Sequence, residues 1–206
     1  VFYNINAIKN NIMDFNKELV EAKKLGIPIW HRSEMLAYLG KGLKTLAVTG
    51  THGKTTVSSM LAHTLCNMGE DPSFLVGGNI SGFSTNALSG SGQYYVVEAD
   101  ESDKSFNKLD PFSAIITNIE LDHIDHYKNL DDLYSEFKKF MGLVDKKGVL
   151  MCCAQDTKLM KLAKSVRKDV QSYGFSKKAD YQVLKYSFKN FKCKIKMRRQ
   201  RNAEFY

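Results

Sequence analysis

Short apolar runs alternate with amphipathic segments along most of this chain. The runs predict buried strands at residues 46–48, 74–76, 94–97, 114–116 and 149–153. Between several of them, apolar side chains recur every three or four residues and predict helices that end at Gly69, Gly142 and Val166. Strands that alternate with helices favour an α/β fold with a mostly parallel, doubly wound sheet.

The first 42 residues carry a pattern of their own. The predicted elements are an apolar start over Phe2–Ile8, a helix from Asp14 to Gly26, a strand over Ile27–Trp30 and a helical segment over Ser33–Leu39. The buried face of that first helix is predicted to comprise Phe15, Leu19, Ala22 and Leu25. Because Gly40-Lys41-Gly42 is typical of a linker, we expect one unit over residues 1–42 and a second over residues 43–206.

Two further stretches interrupt the alternation. Glycine and serine dominate residues 77–92, which predicts a long loop. From Val170 the pattern changes to short strands, predicted over Ser172–Phe175, Tyr181–Leu184 and Phe191–Met197.

Charge is distributed unevenly along the chain, whose net charge is +8. Residues 1–137 contain 11 Lys and Arg against 17 Asp and Glu, whereas residues 138–206 contain 19 against 5. A basic half can bind nucleic acid, but aromatic residues interleave weakly with these lysines, so solvated faces are the simpler interpretation. No apolar run reaches the ~20 residues of a membrane-spanning helix. The four cysteines fit reduced thiols of a cytosolic protein better than a disulfide framework.

The strongest chemical signal is the segment Gly50-Thr51-His52-Gly53-Lys54-Thr55-Thr56, which lies between a buried strand and an amphipathic helix. A glycine-rich turn in that position can point backbone N–H groups at phosphate oxygens, while the helix N-terminus and Lys54 add positive charge. The hydroxyl of Thr55 is suited to a phosphate-bound Mg²⁺. The segment departs from the general phosphate-loop motif at Val48, where that motif has glycine.

Four carboxylates lie close together in Glu98-Ala99-Asp100-Glu101-Ser102-Asp103, at the end of a predicted strand. Ligands of open α/β sheets bind at the carboxyl ends of strands, and a magnesium ion there would offset the repulsion between these groups. Glu98 closes the apolar run and is the best candidate ligand. For Glu101 and Asp103, a solvated acidic turn is a real alternative.

A third polar segment, residues 118–127, also follows a predicted strand and contains Asp122-His123-Ile124-Asp125-His126. Imidazole and carboxylate side chains suit zinc, but no cysteine is nearby and no third histidine follows at a useful spacing. A histidine that helps to hold a second Mg²⁺ is the sharper hypothesis. A surface His126 bonded to Asp122 or Asp125 is the plain alternative.

Together the three polar segments resemble the Mur ligases, and residues 21–36 resemble the end of the first, UDP-binding domain of that family. The likeness extends to about Lys185. It implies a P-loop-type central domain preceded by the C-terminal part of a Rossmann-like domain. It also implies an enzyme that uses ATP to phosphorylate a carboxylate, so that an amine can attack the acyl phosphate. Within the family, the likeness is strongest to the branch that joins L-alanine to UDP-N-acetylmuramate in peptidoglycan synthesis.

The resemblance also assigns roles by position. Residues implied to bind ATP are Gly50, Thr51, His52, Gly53, Lys54, Thr55, Thr56 and Asn118. Thr55 and Glu98 would ligate Mg²⁺, and His123 would help to hold a second Mg²⁺ near the substrate carboxylate. Lys54, Glu98 and His123 would be the catalytic residues. The implied partners are the small molecules UDP-N-acetylmuramate, L-alanine and ATP, with neither a membrane nor nucleic acid expected.

Several parts of the family pattern are not found in these 206 residues: the UDP-gripping turn, a later His-Asn pair and the amino-acid-binding third domain. With Val1 in place of an initiator Met, we expect a fragment that is inactive in ligation on its own. Two alternatives stay open, a family member that attaches a whole murein peptide to the same sugar nucleotide and a non-catalytic nucleotide- or RNA-binding module. Ser102 and Asp125-His126-Tyr127 favour alanine addition.

Overall fold

The structure is a computed structural model, and it describes residues 2–3, 16–120, 127–190, 192–200 and 203–205. The strands are β1 (Phe2–Tyr3), β2 (Trp30–His31), β3 (Lys44–Thr49), β4 (Ser73–Ile80), β5 (Thr85–Leu88), β6 (Tyr94–Glu98), β7 (Ser113–Ile116), β8 (Leu150–Cys153), β9 (Gln171–Gly174), β10 (Tyr181–Lys189), β11 (Lys192–Arg199) and β12 (Ala203–Phe205). The α-helices are α1 (Lys17–Lys24), α2 (Arg32–Leu39), α3 (Lys54–Asn67), α4 (Leu130–Leu143) and α5 (Thr157–Val166). A 3₁₀ helix spans Ser105–Lys108.

One large sheet organises the described part of the chain, with its strands in the order β12-β11-β10-β9-β8-β7-β3-β6-β4-β5. The strands from β10 to β4 in this order are parallel to their neighbours. Antiparallel strands extend the sheet at both edges, β5 at one and β11 with β12 at the other. The prediction of a mostly parallel α/β sheet is therefore confirmed. Because β6 and β7 flank β3, the segments that follow these three strands meet at one edge.

Both faces of the sheet are covered, as a doubly wound fold requires. Along β6, Tyr95 and Val97 belong to a buried cluster that includes side chains of α2, α4 and α5. Val96, on the opposite face, packs in a second cluster with Ala62 of α3. Successive residues of a strand point to opposite faces, so the apolar run at 94–97 serves both clusters.

The long loop predicted over residues 77–92 is wrong in part. Strand β4 continues through the glycines to Ile80, and β5 occupies Thr85–Leu88. The two strands pair in antiparallel register, with Phe74 opposite Leu88 and Ile80 opposite Thr85. Glycine and serine gave no strand signal, but the backbone hydrogen bonds of a sheet edge are available to any residue except proline.

The predictions for the N-terminal residues are confirmed only in part. Asp14 and Phe15 lie outside the described residues, and Asn16 caps α1 by accepting hydrogen bonds from the N–H groups of Glu18 and Leu19. Leu19 and Ala22 are buried as predicted. The prediction for Leu25 is wrong, since it lies just past the end of α1 and is 66% exposed. The short strand also shifts to Trp30–His31, where it pairs with β1.

The apolar spacing of Met60, Leu61, Leu65 and Met68 located α3 correctly but did not identify its buried face. Met60 and Met68 are exposed, whereas Ser58 and Ala62 are buried. Small residues allow the helix to approach the sheet closely, and Leu61 and Leu65 then pack at the side of the contact. Over the residues that the structure describes, no helix is both long and apolar enough to cross a membrane.

Candidate nucleotide and metal site

The loop between β3 and α3 has the backbone geometry of a phosphate-binding turn. Gly53 is the N-cap of α3 with a φ of +84°, and no side chain caps the helix. Its first N–H groups are thus left to solvent or a ligand, next to the positive end of the helix dipole. Gly50 has a φ of +128°, and a Cβ at that position would collide with Thr117 and lie 2.8 Å from the carbonyl oxygen of Asn118. The loop therefore requires glycine at residue 50.

The segment that follows β7 holds the loop in shape. The Asn118 side chain accepts a hydrogen bond from the His52 N–H at 2.9 Å and donates one to the His52 carbonyl oxygen at 3.1 Å. The hydroxyl of Thr117 donates to the same carbonyl at 2.7 Å. One residue earlier, Thr51 is bonded to the backbone of Asn118 and Glu120. Asn118 thus contacts the predicted loop, and its visible role is to position the backbone.

Lys54 lies folded over this loop. Its ammonium group donates hydrogen bonds to the carbonyl oxygens of Gly50 at 2.8 Å and Thr51 at 3.3 Å. A third bond, at 2.9 Å, joins it to Oε1 of Glu101, and the two side chains are only 14% and 2% exposed. The cation that the sequence analysis assigned to phosphate therefore has a buried carboxylate as its partner.

The burial of Glu101 corrects the hypothesis of a solvated acidic turn. The hydroxyl of Tyr127 and the N–H of Lys104 both donate to the Glu101 carbonyl oxygen, which fixes the residue beneath the loop. Desolvation raises the pKa of the Glu101 carboxyl, and the charge and hydrogen bond of Lys54 oppose that rise. Its second oxygen, Oε2, is buried and has no hydrogen-bond partner in the described part of the structure.

The same correction applies to Asp103. Its carboxylate is 4% exposed and lies 3.5 Å from Nε2 of His31, which is equally buried. Burial is the main cause that lowers the pKa of His31, and Asp103 opposes it. His31 also accepts a hydrogen bond from the Ser33 N–H and caps α2, so the acidic segment after β6 is tied to residues before position 43.

Thr55 and Glu98 form the part of the site that could hold a metal ion. The Thr55 hydroxyl donates to Oε1 of Glu98 at 3.1 Å, and the N–H of Gly77 donates to Oε2 at 2.7 Å. A Cβ on Gly77 would lie 2.6 Å from Glu98 Oε2 and 2.8 Å from Thr55 Oγ1, so the absence of a side chain leaves room beside both oxygens. Hydroxyl and carboxylate oxygens are ligands that Mg²⁺ accepts, and these residues therefore fit that ion.

Other predicted site residues are less involved. His52 is exposed and lies 3.7 Å from Glu120, and the side chain of Thr56 is also exposed. His123, together with the zinc candidates Asp122, Asp125 and His126, lies outside the described residues. Within the described ranges, no group of three or more His, Cys, Asp and Glu side chains is arranged to hold a metal ion.

Three residues of the site were missed by the sequence analysis in their observed roles. Gly77 was assigned to a loop, Thr117 was given no role, and Glu101 was given a solvated alternative. The sequence contained a signal for Gly77, because paired glycines directly after a buried strand often mark a close approach of the backbone to another group. For Glu101, nothing local distinguishes it from its acidic neighbours.

Basic residues of the second half of the chain line a separate cavity. A cavity of about 390 Å³ is lined by Lys164, Lys168, Lys178 and Arg199, with Asp169 and Asp180 among them. It adjoins the first residues of β8, β9 and β10, which is the amino edge of the parallel strands. The phosphate loop follows the carboxyl end of β3, so the cavity lies at the opposite edge of the sheet.

Comparisons with known proteins find one family over most of the chain. The Mur ligase middle domain matches residues 48–205. The UDP-N-acetylmuramate–L-alanine ligase of Carboxydothermus hydrogenoformans is 46% identical over 180 residues, which cover 87% of this chain and 39% of that protein. The chain thus spans about two fifths of the length of this curated relative.

Two solved structures share the fold. The UDP-N-acetylmuramate–alanine ligase of Thermotoga maritima superposes with a TM-score of 0.80 and 30% identity, over 99% of this chain and 45% of that one. The UDP-N-acetylmuramate:L-alanyl-gamma-D-glutamyl-meso-diaminopimelate ligase of Neisseria meningitides gives 0.77 and 24% identity, over 96% and 64% of the two chains. At that identity the second likeness concerns the fold alone.

Proposed function

Because the chain belongs to the Mur ligase family, we propose that it supplies the ATP-binding part of a cytosolic ligase that joins L-alanine to UDP-N-acetylmuramate. The observation that carries the proposal is the convergence of three strand ends on one point. The glycine turn after β3, Glu98 at the end of β6 and Asn118 after β7 surround the N-terminus of α3. Backbone donors, one lysine and a hydroxyl–carboxylate pair are what the phosphates of ATP and their metal ion require.

Each group of this site has a distinct task in the proposed reaction. The N–H groups of the turn and of the first turn of α3 would bind the phosphate oxygens, and Lys54 would offset their charge. Asn118 and Thr117 would keep the turn rigid. Thr55 and Glu98 would hold Mg²⁺, which when bound masks the repulsion between the substrate carboxylate and the phosphate that it attacks. His123 remains the candidate for a second magnesium ion.

The choice of alanine as the added group is supported by sequence. The Carboxydothermus relative, at 46% identity, is named an L-alanine ligase. The Thermotoga structure, at 30% identity, is that of a UDP-N-acetylmuramate–alanine ligase. The peptide-attaching ligase from Neisseria resembles this chain nearly as closely in fold but less in sequence. We therefore favour alanine over a whole peptide.

We further propose that the 206 residues do not complete ligation alone. Residues 1–42 would be the end of a UDP-binding domain and residues 43–206 a central ATP-binding domain. Ligation needs three reactants held with the reacting atoms about 3–3.5 Å apart. The proposed site accounts for phosphate and metal, and none of its residues is assigned to the sugar nucleotide or to alanine.

A chimera tests this function. Residues 1–206 replace the matching segment of the Carboxydothermus ligase, and the purified protein is incubated with UDP-N-acetylmuramate, L-alanine, ATP and Mg²⁺. We expect alanine-dependent product and phosphate release, and we expect their loss in the same chimera carrying Glu98→Gln. A folded chimera that binds the sugar nucleotide but neither consumes ATP nor forms product would contradict the proposal.

A further inference from the structure

The ammonium group of Lys54 has all of its donors engaged by the protein. Three protons are available, and three oxygens surround the nitrogen, from Gly50, Thr51 and Glu101. An ammonium group in this arrangement has to release at least one protein oxygen before it can bind a phosphate. The oxygen that Lys54 releases determines which protein group loses its hydrogen bond to the ammonium.

Glu101 is the partner most affected by such a release. Its side chain is buried, and Lys54 is the one cation paired with it among the described residues. The main chain of Glu101 is fixed by the Tyr127 hydroxyl and the Lys104 N–H, so the carboxylate cannot readily follow Lys54 toward a ligand. Its Oε2 already has no hydrogen-bond partner in the described part of the structure.

We propose that Glu101 is a positioning residue that holds Lys54 against the loop in the free protein. When nucleotide binds, Lys54 leaves Glu101 for the β- and γ-phosphates, and a proton from solvent neutralises the buried carboxylate. The inference rests on the proposed ATP site. Lys54 stays charged throughout, one O–H bond forms on Glu101, and no bond of the nucleotide changes. Glu101 would thus compete with phosphate for the same cation.

The surroundings of Glu101 favour a proton once Lys54 has left. Burial disfavours a carboxylate without a cation, and the negative charge of Asp100 acts in the same direction. Lys54, on α3, is the principal group that opposes them. Tyr127 faces Glu101 from the segment before α4, and its own pKa is raised mainly by burial and then by the charge of Glu101, so it stays neutral. Loss of the Lys54 contact removes the main support for the charged form of Glu101.

This exchange predicts that Glu101 weakens nucleotide binding. Glu101→Gln keeps the size of the side chain and removes its charge, so Lys54 would be less firmly held. We expect ATP and ADP to bind about threefold to tenfold more tightly to this variant, because a contact between charged groups no longer competes. AMP has no β-phosphate for Lys54 to reach, and its affinity should stay the same.

Titration calorimetry on the full 206-residue chain tests the inference. ATP with Mg²⁺ is titrated at pH 8, where the nucleotide is fully ionised, in two buffers of different ionisation enthalpy. The parent chain should take up protons when ATP binds, and Glu101→Gln should take up fewer, because it lacks the carboxylate that gains the proton. Asp110→Asn removes an equal charge from an exposed position and should behave as the parent does.

Three results would overturn the exchange, and a fourth would overturn the proposed function instead. Zero proton uptake by the parent chain would overturn the exchange, whether or not the variant folds. Unchanged or weaker ATP binding by folded Glu101→Gln would also overturn it, as would an equal gain for AMP. If the parent chain binds no nucleotide at all, the proposed function fails first, and that outcome is distinct from binding without proton uptake.

Discussion

The hydroxyl of Thr55 and the carboxylate of Glu98 lie 3.1 Å apart, although forty-three residues separate them in the sequence. They meet because β3 and β6 are parallel neighbours, with Val48 opposite Glu98 in register. The loop after one strand therefore lies beside the last side chain of the other. Gly77, from β4 on the far side of β6, approaches the same carboxylate and completes the pocket.

The space beside Gly77 provides the first prediction. In Gly77→Ala the new Cβ would displace both the Glu98 carboxylate and the Thr55 hydroxyl, and each of these side chains can rotate without disturbing the backbone. We expect a loss of unfolding free energy below about 1 kcal/mol. The Mg²⁺-dependent part of the ATP affinity should fall about tenfold to a hundredfold, as for other disturbed metal ligands.

Gly78→Ala is the matched control for this variant. A Cβ there would lie 3.4 Å from the Thr55 methyl group, which is ordinary contact. ATP binding at several Mg²⁺ concentrations, measured for both variants, should separate them. Equal Mg²⁺ dependence in the two proteins would show that Glu98 does not hold the metal ion.

The pair formed by Lys54 and Glu101 leads to a prediction about stability. Lys54→Ala leaves a buried carboxylate without its cation, which costs about 3–5 kcal/mol of unfolding free energy when a buried pair is broken. Glu101→Gln in the same chain removes the uncompensated charge, so the double variant should recover most of that loss. Urea unfolding of the single and double variants measures both effects.

The pH dependence of Lys54→Ala has a definite sign. Burial raises the pKa of Glu101 above its ordinary value of 4.5, so the folded state holds a proton that the unfolded state releases. Stability from such a group is complete below pH 4.5 and is lost as the pH rises through the folded-state value. The deficit of Lys54→Ala should therefore be larger at pH 8 than at pH 5. A deficit that is the same at both values would show that the loss of Lys54 does not change the pKa of Glu101.

Sequence alone predicted the parts of this site that depend on local order. The turn from Gly50 to Thr56 and the position of Glu98 follow from a strand that ends and a helix that begins, and such signals lie within a few residues of each other. The burial of Glu101 and Asp103 depends on side chains that arrive from elsewhere, namely Lys54 and His31. No spacing within Glu98–Asp103 contains that information.

For the fold, too, sequence predicted the features that depend on local order and not those that depend on distant residues. Alternating strands and helices predicted the parallel centre of the sheet, because buried parallel strands are continuous apolar runs. The edge strand β5 was not predicted, because residues 85–88 contain no apolar alternation and depend on backbone pairing with β4. The exposure of Met60 on α3 was also beyond local spacing, since it depends on which face of the helix contacts the sheet.

His31 is expected to make the protein sensitive to acid. Burial lowers the pKa of His31 below 6.5, so the unfolded state binds a proton that the folded state does not. Its contribution to stability is present at neutral pH and is lost as the pH falls below 6.5. His31→Asn keeps a side-chain acceptor at the start of α2 and removes the titration, so its stability should change less between pH 7.5 and pH 5.

Thermal unfolding of the parent chain, His31→Asn and His63→Asn across that range measures this effect. His63 is exposed on α3, and its replacement should leave the acid sensitivity of the parent unchanged. Equal acid sensitivity in all three proteins would show that the burial of His31 is not the source.

The chain by itself should form no ligation product. Incubation with UDP-N-acetylmuramate, L-alanine, ATP and Mg²⁺ should give at most slow, alanine-independent phosphate release, because the proposed site accounts for one reactant of three. Product is measured by chromatography of the sugar nucleotide. Alanine-dependent product at roughly 1 s⁻¹ or faster, the range of ordinary enzymes, would contradict the proposal that this chain supplies the ATP-binding part of the ligase and does not complete ligation alone.

The central claim is that ATP binds at the N-terminus of α3 through Lys54 and a metal ion held by Thr55 and Glu98. Its most direct test is the calorimetric affinity for ATP, with and without Mg²⁺, of the parent chain and of the double variant Lys54→Ala, Glu101→Gln. The double variant removes the phosphate-binding cation without leaving a buried charge, so a loss of binding cannot be attributed to unfolding. We predict Mg²⁺-dependent binding by the parent chain that weakens at least about a hundredfold in the double variant, as expected for a lost charged contact of roughly 3 kcal/mol. Equal affinity in the two folded proteins would contradict the account.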